Sequence, residues 1–405
     1  MDTVVLLVFV AVYLGMILGE IPGLALERTG VALLGAIILL AVGRLSPSEA
    51  WAAVDVPTIG LLFGLMVVSA QFRLGGFYAR VTRWIAASDS SPAALLAALI
   101  ALCGVLSALL ANDIVCLAVA PVLIEACDRR GLNPMPFLLA LACSANAGSA
   151  ATLIGNPQNM LIGQSLNLSF GRYLIDAGVP ALLSLGAVWA IVQWQFRNRW
   201  HAAPRGIEVA VPAFSVWQTA KGLLVLTVLM AVFVMGEVPR EVAALSAAGL
   251  LLMSRRMSSR DMLALVDWQL LVLFMGLFVV NRALAASGML NEIFAAARAA
   301  GVDVAEPGWL FALTVVLSNL VSNVPAVMLL LPAATHPLAG PVLALASTLA
   351  GNLIIVGSIA NIIVVDQAAR LGVTISWRDH ARVGVPVTAA TLGVAAVWLW
   401  LRAGP

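Results

Sequence analysis

Apolar residues fall in long blocks near residues 3–22, 30–43, 58–72, 92–127, 134–165, 177–196, 217–236, 239–253, 264–284, 309–333, 341–365 and 383–402. A helix rises about 1.5 Å per residue, so a block of about 20 residues crosses a bilayer. Most of these blocks predict one crossing each, and three predict something else. The block 92–127 is too long for one helix and short for two, and it carries Asn112-Asp113 near its middle. The block 309–333 holds Ser318-Asn319 and Ser322-Asn323-Val324-Pro325 in a similar place. Both predict re-entrant hairpins, in which two short helices meet at a polar tip inside the membrane. A long tilted helix with a polar kink is the alternative. The third exception runs from Ser144 to Asn159 and mixes Gly, Pro, Asn, Ser and Thr into an apolar block. Pro157 cannot donate a backbone hydrogen bond, and Gly155 tolerates unusual backbone geometry. Broken backbone survives at membrane depth only where it is buried in protein or lines a watery cavity. This stretch therefore predicts a discontinuous helix at a binding site.

The pattern occurs twice. Leu45-Ser46-Pro47-Ser48-Glu49 to Asp55 aligns with Met257-Ser258-Ser259-Arg260-Asp261 to Asp267 at a shift of 212, as do Gly64 with Gly276 and Gly76 with Gly288. A shift of 211 pairs Ser107, Asn112 and Pro121 with Ser318, Asn323 and Pro332. Gly155 and Asn159 match Gly357 and Asn361 at 202, and Arg172 matches Arg378 at 206. Anchors in one order mark two copies of one unit. The division is 1–196 for the first copy, 197–216 for a cytoplasmic linker and 217–405 for the second.

Counting each tip-bearing block as a hairpin leaves about five crossings per copy, an odd number that inverts one copy relative to the other. The predicted fold is thus an all-α polytopic membrane protein of two inverted-topology repeats. Each repeat has about five transmembrane helices plus a re-entrant hairpin and a broken helix. With the loop of Arg73, Arg80 and Arg83 placed in the cytoplasm, sixteen of the 22 basic residues face inward and six outward. The positive-inside rule asks for that bias. Both termini then lie outside a cytoplasmic (inner) membrane. The run from Val4 to Leu18 lacks a basic flank and reads as a first helix, not a cleaved signal.

Composition agrees with this. Mean hydropathy is +1.03, and 62% of residues are hydrophobic against 10% charged, which no soluble domain of this length tolerates. The net charge of +2 gives no sign of a nucleic-acid partner. Cys103, Cys116, Cys127 and Cys143 show no ligand spacing and read as reduced core residues. No catalytic dyad or nucleotide motif is visible, so the chain reads as a transporter and not an enzyme, and an ATP-driven pump would need a separate ATPase partner.

The chemistry is expected where four polar interruptions converge: the tips at Asn112-Asp113 and Ser322-Asn323, and the breaks at Gly155-Asn156-Pro157-Gln158-Asn159 and Gly357-Ser358 to Asn361. Half-helix starts expose N–H donors suited to an anion, and half-helix ends expose carbonyls suited to sodium. Ser144, Asn146, Ser149, Thr152, Thr348 and Asn352 lie within a few turns and complete the candidate substrate site. Asn112, Asn156, Asn323 and Asn361 are the candidate sodium ligands, sodium being the one cofactor-like ion expected. Asp113, a carboxylate deep in apolar sequence, reads as a proton carrier or sodium ligand, with helix capping as the bland alternative. Glu125 reads as a solvated helix end. Asp55 and Asp267 read as helix caps, and Trp194, Trp200, Trp377, Trp398 and Trp400 as interface anchors.

Asn112-Asp113 … Pro121, Gly148 to Asn159, Ser322-Asn323 … Pro332 and Gly357-Ser358 … Asn361 together resemble the ion transporter superfamily. That group includes citrate transporter-like permeases, divalent anion–sodium symporters and arsenite efflux permeases. The resemblance covers nearly the whole chain. It implies a scaffold part and a moving transport part, often in a homodimer, working by an elevator-like movement. Dicarboxylate carriers of this kind carry Ser-Asn-Thr at both tips, whereas here the tips read Ala111-Asn112-Asp113 and Ser322-Asn323-Val324. An Asn-Asp first tip is similar to arsenite permeases, while the Gly-Asn-Pro-Gln-Asn break is similar to the anion carriers. The resulting expectation is a secondary transporter of a small inorganic or carboxylate anion, driven by protons or sodium. Arsenite or antimonite efflux by proton exchange is the alternative.

Overall fold

The computed structural model describes every residue except 1, 20–22, 24 and 404–405. Its first half holds α1 (Thr3–Leu18), α2 (Arg28–Ala41), α3 (Pro47–Ala53), α4 (Val56–Leu74), α5 (Phe77–Ala86), α6 (Pro92–Leu109), α7 (Asn112–Arg129), α8 (Pro134–Ser149), α9 (Pro157–Ser165) and α10 (Phe170–Phe196). The second half repeats the order with α11 (Val216–Met235), α12 (Arg240–Leu252), α13 (Ser259–Leu263), α14 (Trp268–Ala286), α15 (Met289–Ala299), α16 (Pro307–Val321), α17 (Asn323–Leu330), α18 (Ala339–Ala350), α19 (Ile359–Arg370) and α20 (Trp377–Ala403). Among the described residues six helices are long and apolar enough to cross a membrane: α4, α6, α10, α11, α14 and α20. Their outer faces carry bare apolar side chains such as Leu182, Leu224 and Trp400, each more than 65% exposed, as lipid contact requires.

Matching positions make matching contacts. Ser46 caps α3 by accepting from Glu49 N at 3.2 Å, and Ser258 caps α13 by accepting from Asp261 N at 3.0 Å. Asp55 and Asp267 cap α4 and α14, each accepting at 2.9 Å from the third residue on. A Cβ on Gly64 would lie 2.7 Å from the Ala244 carbonyl carbon, and one on Gly276 would lie 2.8 Å from that of Ala32. All of these pairs are 212 apart. Gly64 and Gly276 thus let α4 close onto α12 and α14 onto α2, interlocking the two halves. A second group of helices packs beside this one, with α6 on α8, α16 on α18 and α10 on α20.

Three expectations change. The arms of the first hairpin, α6 and α7, have 18 residues each and are not short. Glu125 is no solvated helix end: it is buried and bridged by Arg83 at 2.8 Å and Arg129 at 2.6 Å. Arg73 lies in the last turn of α4, facing inward, and not in a loop. The linker is strapped down, with Asp128 at the end of α7 accepting from Arg205 N at 2.6 Å and Ile207 N at 2.9 Å. The four cysteines are buried and unpaired.

Candidate functional site

Both breaks are built by the same local chemistry. Asn156 is extended (φ −151°) and its Oδ1 accepts from Asn159 N at 2.9 Å, capping α9. Pro157 follows at the first helical position, where its missing N–H leaves nothing unsatisfied. Ser358 plays the same part for α19, accepting from Ala360 N at 3.2 Å. A buried amide then ties each restart to the end of the preceding half-helix. Asn159 Nδ2 donates to Ser149 O at 3.3 Å and Thr152 O at 2.9 Å. Asn361 Nδ2 donates to Gly351 O at 2.8 Å and Ile354 O at 3.1 Å, the same two positions shifted by 202. These bonds satisfy carbonyls that a broken helix leaves orphaned.

Neither long helix that follows a break was expected to touch the site, yet both brace it. Tyr173 on α10 donates to Ala150 O at 2.9 Å, and His380 Nε2 on α20 lies 3.0 Å from Asn352 O, again 202 positions on. Their positions in long apolar helices gave no signal of this.

The two breaks are joined to each other. Asn156 Nδ2 donates across to Thr348 Oγ1 at 3.1 Å, while Ser358 Oγ donates to Asn146 Oδ1 at 2.9 Å. Asn156 and Ser358, like Asn146 and Thr348, are 202 apart, so this is one contact made twice in opposite senses. Asn146 is the hub and uses its whole hydrogen-bonding capacity. Its oxygen also accepts from Asn112 Nδ2 at 3.3 Å, and its nitrogen donates to Asn352 Oδ1 at 2.8 Å and Asn361 Oδ1 at 3.3 Å. Gln158 Nε2 adds a bond to Thr348 Oγ1 at 3.2 Å.

The tips seat on the breaks. The Asn112 backbone N–H donates to Gly155 O at 3.2 Å, and Thr152 Oγ1 donates to Ala108 O at 2.5 Å. With its amide nitrogen turned toward the carbonyls, Asn323 donates to Ser347 O at 3.0 Å and Gly357 O at 3.3 Å. Ser322, between α16 and α17, has φ +77° and ψ 159°, a backbone region that suits glycine. Ser149 joins the network, donating to Asn146 O at 2.9 Å and accepting from Asn156 at 3.0 Å. Ser144 does not. Its hydroxyl bonds only Leu141 O, one turn back on its own helix, at 3.2 Å. Among the described residues, Asn112 Oδ1 and Asn352 Nδ2 are buried with no partner. An acceptor and a donor thus stand open on either side of the hub.

Asp113 lies apart from this network. It faces a cavity of about 260 Å³ shared with Arg73, Asp267, Pro157, Met160 and Ile363. Of the four asparagines considered for sodium, Asn156 and Asn361 have their oxygens engaged by Asn159 N and Asn146 Nδ2, whereas Asn112 Oδ1 is free. Among the described residues no cluster of His, Cys, Asp and Glu has the geometry to hold a metal.

Residues 4–350 match the family described as citrate transporter, CitMHS. The chain belongs to the citrate transporter family. An uncharacterised transporter of Mycobacterium tuberculosis is 30% identical, covering 99% of both chains. A silicon efflux transporter of Oryza sativa subsp. japonica is 28% identical and covers 91% of each. Among solved structures, the YdaH transporter of Alcanivorax borkumensis, described as having an unusual topology, superposes with a TM-score of 0.62. It does so at 16% identity, over 99% of this chain and 98% of its own, so the fold is shared. Membership of the citrate transporter family and the apolar helices together make this chain a multi-pass membrane transporter.

Proposed function

We propose that this citrate transporter family member is a secondary active transporter that moves a small anion across the cytoplasmic membrane, coupled to protons or sodium. The observation that carries the reading is the buried Asn146 network, in which two broken helices and the first hairpin tip meet around an unpaired acceptor and an unpaired donor, with the second tip seated on the second break beside it. Four helix starts (α7, α9, α17 and α19) contribute to it, so donors for an oxyanion come without a buried basic residue in the network. Asp113 at the first tip is the coupling group. The two units are residues 1–196 and 217–405, inverted with respect to each other, with both termini outside. The interlocked α2, α4, α12 and α14 form the fixed part, against which the hairpins and broken helices move as an elevator.

Arsenite or antimonite efflux by proton exchange is the second reading. It is favoured by one observation: Asp113 shares its cavity with a second carboxylate, Asp267, which suits a neutral hydroxide better than a free anion. Proteoliposomes loaded against citrate, succinate, sulfate and arsenite, with imposed proton or sodium gradients, separate the readings. Gradient-driven anion uptake, reduced to background in Asp113→Asn, supports the first. Arsenite-dependent proton movement lost in the same variant supports the second. Flux that ignores both gradients sinks both.

A further inference from the structure

The Asp113 cavity holds a cation that the transport reading has not used. Arg73 lies on the face of α4 that also presents Leu62, Leu65 and Met66 to the cavity, about two to three turns before it. Asp113 and Asp267 line the same space from the starts of α7 and α14. Each charge suits its helix end, a guanidinium at a C-terminal turn and carboxylates at N-terminal ones. Asp267 is committed to its cap on Leu270 N at 2.9 Å. Among the described residues neither the Arg73 guanidinium nor the Asp113 carboxylate has a hydrogen-bond or ion-pair partner, although both are half-buried. The buried carboxylates elsewhere are all engaged: Glu125 by two arginines, Asp176 by Arg402 and Asp128 by the backbone N–H groups of Arg205 and Ile207. A half-buried guanidinium left without a partner is expensive unless water or a ligand completes it.

We propose that Arg73 is the charge-selecting residue of this cavity, the group that lets an oxyanion approach the first hairpin tip past Asp113 and Asp267. Without it, two carboxylates in about 260 Å³ would repel any anion before the amides of the tip were reached. Arg73 belongs to α4 on the interlocked side, whereas Asp113 belongs to the first hairpin, and both line this cavity. Arg73 therefore meets the anion from a different helix than the coupling group. Position 285, its counterpart at the 212 shift, is an alanine, so the repeat does not supply a second such residue. The proposal rests on the transport of an anion, but its test needs no transport.

Leu117 lines the cavity one turn beyond Asp113, and the four native cysteines are buried. Leu117→Cys in membrane vesicles is labelled with an anionic and with a cationic methanethiosulfonate, and the ratio of the two rates is measured. The ratio is compared with Arg73 intact, in Arg73→Gln and in Arg73→Lys. Loss of one unit charge at cavity distance is expected to lower the anionic-to-cationic ratio about tenfold in Arg73→Gln. Arg73→Lys, which keeps the charge, stays near the parent and excludes a purely structural effect of the arginine fork. A ratio unchanged in Arg73→Gln, or a Leu117→Cys that neither reagent reaches, overturns the proposal. Labelling as expected in a protein that moves no substrate would leave Arg73 its role in the cavity and count only against the transport reading.

Discussion

Replacing Asn146 by alanine removes a side chain that ties the first broken helix, on which it sits, to the second break and to the first tip. Four hydrogen bonds go at once, to Asn112, Ser358, Asn352 and Asn361. Hydrogen bonds between membrane helices average about 0.6 kcal/mol in double-mutant cycles, which sets a floor of about 2 kcal/mol for the four. The ceiling comes from the partners left behind, since an unsatisfied buried group costs about 1–3 kcal/mol and water relieves part of that. The loss should therefore be about 2–6 kcal/mol, a large share of a total stability of about 5–15 kcal/mol. Melting of the detergent-solubilised protein, followed by tryptophan fluorescence, should shift down by about 2–7 °C. The structure makes a sharper claim as well: Asn146 and Ser358 are coupled across the repeats. A double-mutant cycle of Asn146→Ala and Ser358→Ala should return an interaction of about 0.5–1.5 kcal/mol. If Asn146→Ala melts within a degree of the parent, or the two changes simply add, the network does not join the halves and the site has been misread.

Ser322 holds a glycine-like backbone angle at the second tip, so Ser322→Gly should gain about 1 kcal/mol while Ser322→Ala gains nothing. A melting temperature that falls in the glycine variant would show that no strain is stored there. Gly148 packs so closely on α6 that a Cβ would meet Gly104 O at 2.3 Å, so Gly148→Ala should cost about 1–3 kcal/mol or more as the helices part. Gly186→Ala, with nothing within 4 Å, is the neutral-to-stabilising control for the same melt. The backbone N–H groups of Ile207 and Arg205 hold the Asp128 carboxyl below its ordinary pKa. A folded pKa depressed in this way gives docking energy present above the unfolded value and lost as pH falls through the folded one. The 197–216 linker should thus resist limited proteolysis at neutral pH and become cleavable in acid. Asp128→Asn should be cleaved faster already at neutral pH, and equal rates in both proteins would sever the link.

Apolar block lengths, the Gly-Asn-Pro break, the tip asparagines and the 212, 211 and 202 shifts were all legible in the chain itself. Span length and helix interruption depend on a residue and its near neighbours, and sequence displays those directly. The caps at Asp55 and Asp267 were legible for the same reason, being contacts made three residues away. Which polar groups pair was not legible. Ser144 and Asn146 looked equivalent, yet on a helix turning about 100° per residue they point to nearly opposite sides. Only Asn146 meets the other repeat, at Asn352, Ser358 and Asn361, more than 200 positions away. Tyr173 and His380 joined the site through α10 and α20, and Arg73 came to line the Asp113 cavity, for reasons of docking that no local pattern carries. Sequence determined where this chain must break inside the membrane, because unsatisfied backbone there has few ways to survive. The tertiary structure decided what those breaks face, because hydrogen bonds between distant segments exist only once the two halves have packed.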